Sequence, residues 1–204
     1  MYQKASIPYG LVLCGGMSER MGTEKGLLVY HDRPQQYHVY KMLDPICERV
    51  YICCNKNQSE NILPGYEIME DKSEYENIGP MAALLTAYSL YPEKDFLVIG
   101  CDYPFLGMET LELFMKAIPK KQVASAFYNS EQRYEPLLAW YSSQCASLLQ
   151  GCFRRGEYAL QQFLRSQHAE KYTPNNPATM TSIDTFEQFQ QARLLIEKLK
   201  SECR

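Results

Sequence analysis

The sequence lacks any excess of basic residues: 21 Lys and Arg stand against 24 Asp and Glu, a formal net charge of -3. That removes the sequence-independent pull toward nucleic acid or an anionic membrane, so any phosphate-bearing ligand has to be held by local groups. Long apolar runs are missing as well. Leu97-Val98-Ile99 and Tyr51-Ile52-Cys53-Cys54 are far too short to span a bilayer, and the polar start Met1-Tyr2-Gln3-Lys4 does not open a secretory signal. The expectation is a cytoplasmic protein with neither nucleic acid nor membrane as partner. The eight cysteines (Cys14, Cys47, Cys53, Cys54, Cys101, Cys145, Cys152, Cys203) include no Cys-x-x-Cys pair, and His31, His38 and His168 are scattered. Zinc motifs are thereby excluded, and in a reducing compartment the thiols read as small buried hydrophobes. Repeats, low-complexity stretches and runs of like charge are absent too, so no linker divides the chain.

What is present is the material of an ordered enzyme-sized domain. The 204 residues are 46% hydrophobic and 22% charged, and a chain of this length hides roughly 70% of the surface its unfolded form would expose. Short apolar runs alternate with helical patterns: Gly10 to Leu13, Tyr37 to Leu43, Val50 to Cys54, Met81 to Tyr91, Asp95 to Gly100. This alternation predicts βαβ units and an α/β fold, a single-domain three-layer sandwich around a Rossmann-like, mostly parallel sheet. Beyond it the pattern predicts a helix over Met108 to Ala117, strands at Val123 to Phe127 and Leu137 to Tyr141, and a helix from Ser142 to Phe153. Phe186, Phe189, Ala192, Leu195, Ile196 and Leu199 fall at helical spacing, with Ser182, Asp184 and Thr185 as candidate N-caps.

Chemistry concentrates after the first strand, in Leu13-Cys14-Gly15-Gly16-Met17-Ser18-Glu19-Arg20-Met21-Gly22-Thr23-Glu24-Lys25. Glycines let backbone N–H groups approach a polyphosphate closely, and Arg20 and Lys25 supply fixed positive charge. The spacing fits neither the Walker loop nor the dinucleotide-binding fingerprint, since Gly26 follows Lys25 where the former needs a hydroxyl residue. Further on, the apolar run Phe96 to Gly100 leads at once into Cys101-Asp102-Tyr103-Pro104-Phe105-Leu106. A carboxylate at the carboxyl end of a parallel strand sits where open α/β sheets bind ligands, and it suits a hard cation such as Mg²⁺.

The first string resembles the signature L-x-G-G-x-S-x-R-M-G-x-x-K of the molybdenum cofactor guanylyltransferase family, within the nucleotidyltransferases that activate sugars and alditols, and every fixed position is matched. Cys14 stands where that family usually has alanine. The resemblance implies GTP as substrate, a molybdopterin-type acceptor and Mg²⁺ as cofactor. It implies that Leu13, Gly15 and Gly16 contact the nucleotide, that Arg20 and Lys25 neutralise phosphate charge, and that Asp102, within an element similar to the family's C-D-x-P-F-L, holds the metal. Asp71 and the turn Gly79-Pro80 fall where the family recognises guanine or ribose; Ala83 replaces its second glycine. On the residues alone the alternative for Asp71 is a solvated loop carboxylate in the run Glu70-Asp71-Lys72. The implied division gives residues 1–106 to the nucleotide and 107–204 to the acceptor.

On the acceptor side the resemblance is looser. Tyr134-Glu135-Pro136-Leu137 is similar to a family strand, and Glu135, with Arg133 and Tyr134, either meets the acceptor or lies on an edge. Arg154 and Arg155 either hold an acceptor phosphate or form a solvated pair at a helix end. Ser182 and Asp184 stand where the family commonly has asparagine, and Phe186 where it has proline. Asp184 either joins Asp102 near the metal or caps the last helix. A transferase using CTP or another triphosphate on a different phosphorylated acceptor is the alternative, with a non-enzymatic nucleotide-binding protein behind it. Delivery partners for the product fit the chemistry of a labile cofactor.

Overall fold

Tyr9–Leu13 and Phe96–Gly100 are buried at every position, the mark of central parallel strands covered on both faces. In the computed structural model, which describes residues 7–14, 17–18 and 23–202, these two strands lie side by side. In chain order the elements are β1 (Tyr9–Leu13), β2 (Met17–Ser18), β3 (Thr23–Glu24), α1 (Gln35–Leu43), β4 (Arg49–Cys54), α2 (Lys56–Ser59), β5 (Ile68–Glu70) and α3 (Met81–Leu90). They continue with β6 (Phe96–Gly100), α4 (Met108–Ala117), β7 (Ala124–Tyr128), β8 (Tyr134–Tyr141), α5 (Cys145–Arg154), α6 (Leu160–Ser166), β9 (Glu170–Tyr172) and α7 (Phe186–Glu202). One seven-stranded sheet runs in the order β5-β4-β1-β6-β8-β7-β9, and β2 pairs with β3 in a separate antiparallel ribbon. Within the large sheet β8 alone runs antiparallel to its neighbours.

Alternation along the strands feeds two helical layers. Tyr9, Leu11 and Leu13 pack with α3, α5 and α6, through residues such as Leu84, Leu149 and Phe163. Val12 turns the other way and joins Tyr37, Leu43, Leu111 and Phe114 of α1 and α4. This is the period-two geometry of a strand buried on both sides, and it delivers the expected three-layer sandwich. A third cluster forms where α7 lays Ala192 and Ile196 on Leu28, Tyr30 and Ile183, so the segment after β3 is held by the last helix. No helix among the described residues is long and apolar enough to cross a membrane.

The chain leaves β1 toward β4 and β5 on one side and returns to place β6 on the other. That reversal opens a crevice beyond the carboxyl ends of β1 and β6, the usual ligand site of such sheets. Most boundaries fall within two residues of the sequence expectation, and two differ from it by three. β8 begins at Tyr134 rather than Leu137, and α5 begins at Cys145 rather than Ser142, because the Ser142 N–H is spent on the Val123 carbonyl and the Ser143 N–H on Asp95.

Candidate nucleotide and metal site

The carboxyl ends of β1 and β6 are locked in register. Leu13 lies opposite Gly100, and the Cys101 N–H donates to the Leu13 carbonyl at 2.9 Å. The glycine loop therefore leaves the sheet beside Asp102. Gly15, Gly16 and Arg20 lie outside the described residues, but Lys25 at the loop's far end is in place: its Nζ is 4.0 Å from Asp102 Oδ2 and 2.5 Å from Asp184 Oδ1. Ser182 Oγ donates to Asp102 Oδ2 at 3.3 Å and is 3.4 Å from Asp184 Oδ2, and the Ile183 N–H donates to the Asp102 carbonyl at 2.9 Å. Four sequence candidates, Lys25, Asp102, Ser182 and Asp184, thus converge on one spot.

Asp102 is the least satisfied of them. Its Oδ1 is buried without a hydrogen-bond partner. Burial pushes its carboxyl pKa up against the opposing pull of Lys25, and Asp184 adds repulsion. The oxygen lies over Gly100, where an added Cβ would collide with it. Burying a carboxylate oxygen without a partner costs free energy, so the site is short of positive charge. A divalent cation is the natural complement. Among the described residues no group of three His, Cys, Asp or Glu side chains is arranged to hold a metal.

Asp184 is free to serve here because Thr185 takes the helix start. Thr185 Oγ1 accepts from the Gln188 N–H at 3.2 Å, and Gln188 Oε1 accepts from the Thr185 N–H at 3.0 Å, a reciprocal capping box. Of the two sequence readings of Asp184, the cap is filled by its neighbour.

The other candidates are placed around this centre or away from it. Asp71 follows β5 and donates its backbone N–H to the Cys54 carbonyl at 3.0 Å. Its Oδ1 is buried and unpartnered, and burial raises its pKa to about 6. Gly79 has φ +68°, with open space where a Cβ would stand, and Pro80 precedes α3. Glu135 is reached through Tyr103: its Oε2 accepts from Tyr103 Oη at 2.8 Å and its Oε1 from Asn129 Nδ2 at 2.7 Å. It is an anchored carboxylate one residue removed from Asp102, not a loose edge group. Arg155 is engaged locally, with Glu157 at 2.8 Å and Cys152 Sγ at 3.4 Å, and it lines a separate cavity between α5 and α6.

Sequence reasoning passed over several members of the site's wall. Cys14 and Cys101, one residue past β1 and β6, bring their buried sulfurs to 3.8 Å, and Cys14 also contacts buried Gln36 at 3.5 Å. A Cβ at Gly26 would meet Gln36 Oε1 at 2.6 Å, so the chain after Lys25 must pass close to α1. Tyr30 is buried, and its hydroxyl pKa is raised by burial and by the charges of Asp102 and Asp184. The Gly26 position carried a readable signal, a glycine directly after the loop's lysine; the other contacts did not.

Comparison with known proteins fits this geometry. Residues 10–171 match a family described as the MobA-like NTP transferase domain. A molybdenum cofactor guanylyltransferase of Pasteurella multocida is 28% identical over 78% of this chain and 84% of its own length. A molybdenum cofactor biosynthesis bifunctional protein of Synechocystis is 28% identical over 90% of this chain, which spans about half (53%) of that relative. Among solved structures, molybdopterin-guanine dinucleotide biosynthesis protein A of Archaeoglobus fulgidus superposes with a TM-score of 0.75 over 93% of this chain and 99% of its own, at 22% identity. That last likeness bears on the fold.

Proposed function

This chain belongs to the MobA-like NTP transferase domain family, and on that premise we propose that it transfers GMP from GTP to molybdopterin, releasing pyrophosphate. The observation that carries the reading is the convergence of Lys25 and Asp102 at the carboxyl ends of β1 and β6, with Asp102 Oδ1 buried and unpartnered. Relatives named molybdenum cofactor guanylyltransferase support the choice of base and acceptor.

In this reading a phosphate oxygen of the acceptor attacks the α-phosphorus of GTP. The new P–O bond forms as the bond to the bridging oxygen breaks, and pyrophosphate leaves with the electron pair. The acceptor phosphate is already ionised near neutral pH, so no side chain has to remove a proton and the protein's task is positioning and charge stabilisation. Lys25, with Arg20 from the same loop, neutralises the phosphates and the departing pyrophosphate. Asp102, with Asp184 beside it, would hold a divalent cation, taken here as Mg²⁺, and that cation when bound supplies charge neutralisation across the phosphate oxygens. Leu13, Gly15 and Gly16 line the nucleotide, and Asp71 with Gly79 and Pro80 forms the wall for guanine and ribose. Asp71 fits that role because its unpartnered oxygen needs donors of the kind guanine carries. The first half of the chain, to residue 106, serves the nucleotide, and the remainder, with Glu135, Arg155 and Ser182, serves the acceptor. Cytoplasmic placement and hand-over of the product to a delivery partner belong to the same reading.

The test is to mix the protein with molybdopterin and Mg²⁺, add GTP, CTP or ATP in turn, and follow pyrophosphate release together with the mass of the dinucleotide. Release that requires acceptor and is about tenfold faster with GTP is the expected result. Release with CTP alone reassigns the base, and no release with any triphosphate overturns the transfer.

A further inference from the structure

On the flank of the molecule α1, the loop after Asp102 and the outer part of α7 enclose a groove of about 750 Å³ that the transfer reaction does not use. Its volume lies within the range of small-molecule sites, roughly 300–1,000 Å³. Apolar walls come from Met42, Phe105 and Leu199, and Leu199 is 49% exposed. Cationic and imidazole groups share the same space. The His31 and His38 rings stack at 3.9 Å with 15° between their planes, and the His31 Nε2 is 3.0 Å from the Pro104 carbonyl, which fixes that ring.

The charge balance of the groove is one-sided. Of the described residues lining it, Asp32 is the one carboxylate, and it is bound by Arg33 at 2.7 Å. Lys41 leans on Asp44 at 3.3 Å, outside the groove lining, whereas Lys200 makes no ion pair with a described residue. Burial lowers the pKa of both rings, and that of His38 falls to about 4, with His31, Arg33 and Lys200 adding to the effect and Asp32 opposing it, so the pair offers neutral imidazoles rather than charge. Among the described residues lining the groove, Lys200 is thus the cation without a carboxylate of its own, and it stands at the edge of an apolar wall.

We propose that this groove is a second ligand site, for a small organic anion with one acidic head and an apolar body. The head would sit among Lys200, Arg33 and the histidine pair, and the body against Met42, Phe105 and Leu199. A second copy of the chain is a poor occupant, because a two-fold contact through this face would gather Lys41 and Lys200 of both copies into one interface.

The probe is 8-anilinonaphthalene-1-sulfonate, an aromatic body with one fixed negative charge, followed by its fluorescence on titration into the full chain with saturating Mg·GTP. Uncharged N-phenyl-1-naphthylamine serves as the matched control. One sulfonate probe per chain is expected, with binding about tenfold weaker for the control and for each of Lys200→Glu and Leu199→Asp. Both positions are exposed, so melting temperature and GTP binding should hold in the variants. Repeating the titration without nucleotide keeps the result independent of whether the chain uses GTP. Equal binding of charged and uncharged probes, or unchanged affinity in both variants, overturns the proposal. So does a dimer in sedimentation that excludes the probe and that Lys200→Glu dissolves.

Discussion

Lys25 and Asp184, 159 residues apart in the chain, meet at 2.5 Å across the mouth of the site. Asp184 is half exposed, so the pair adds little to stability, about 0–1 kcal/mol. Its larger effect is on ligands, because the lysine proposed to meet phosphate already carries a carboxylate. Asp184→Asn should therefore raise the affinity for GTP measured calorimetrically in chelator, by about threefold or more, with an unchanged urea midpoint. Weaker metal-free binding would show that Asp184 orients Lys25 rather than competing for it.

Gly100→Ala tests how finely Asp102 is set. The new Cβ would displace Asp102 Oδ1 and crowd Leu137 Cβ at 3.1 Å. The carboxylate is the softer neighbour, so it moves, and turnover should fall about 100-fold while the melting temperature drops by only a few degrees. A variant that melts normally and turns over at the wild-type rate would remove Asp102 from the chemistry.

Asp71 makes a pH-dependent contribution of known sign. Its carboxyl rises from 3.8 to about 6 on folding through burial. Between those values the folded chain holds a proton that the unfolded chain has released, so the contribution is complete below the unfolded value and is lost as pH rises through about 6. Asp71→Asn should match the wild-type melting temperature near about pH 4 and exceed it by a few degrees at about pH 7.5. GTP affinity, measured beside it, should fall.

Thr185→Ala removes the acceptor for the Gln188 N–H at the head of α7. A lost N-cap costs about 1 kcal/mol, read as a lower urea midpoint. An unchanged midpoint would mean that the packing of Ala192 and Ile196, not the cap, fixes where the helix begins.

How far the sequence carried depended on the kind of signal. β1, β6 and the helices facing them were legible because strands buried on both sides read as unbroken apolar runs, and the glycine loop and Asp102 follow such runs directly. β5 and β9 were not: each has three residues and a largely exposed pattern, too short for periodicity to register. The contact of Cys14 with Cys101 arises from strands joined only through a long crossover, which nothing local in either segment announces. Likewise Thr185 and Asp184 are both good caps by residue type, and the tertiary pull of Lys25 on Asp184 separates them. Glu135 read as a possible edge group because its partner Tyr103 comes from the loop after β6.

Because Lys25 and Asp102 come from the first half of the chain and Asp184 from its far end, the site is assembled in time as well as in space. A nascent chain leaves the ribosome N-terminus first, at about 5–20 residues per second. β1 and β6 can therefore pair while the segment that brings Ser182, Asp184 and the docking face of α7 does not yet exist. During that interval the buried oxygen of Asp102 and the ammonium of Lys25 stand without their later neighbours. Until Asp184 arrives the lysine answers to Asp102 alone, and the finished chain, by adding a second carboxylate, creates the shortage of positive charge that a ligand's cation can fill.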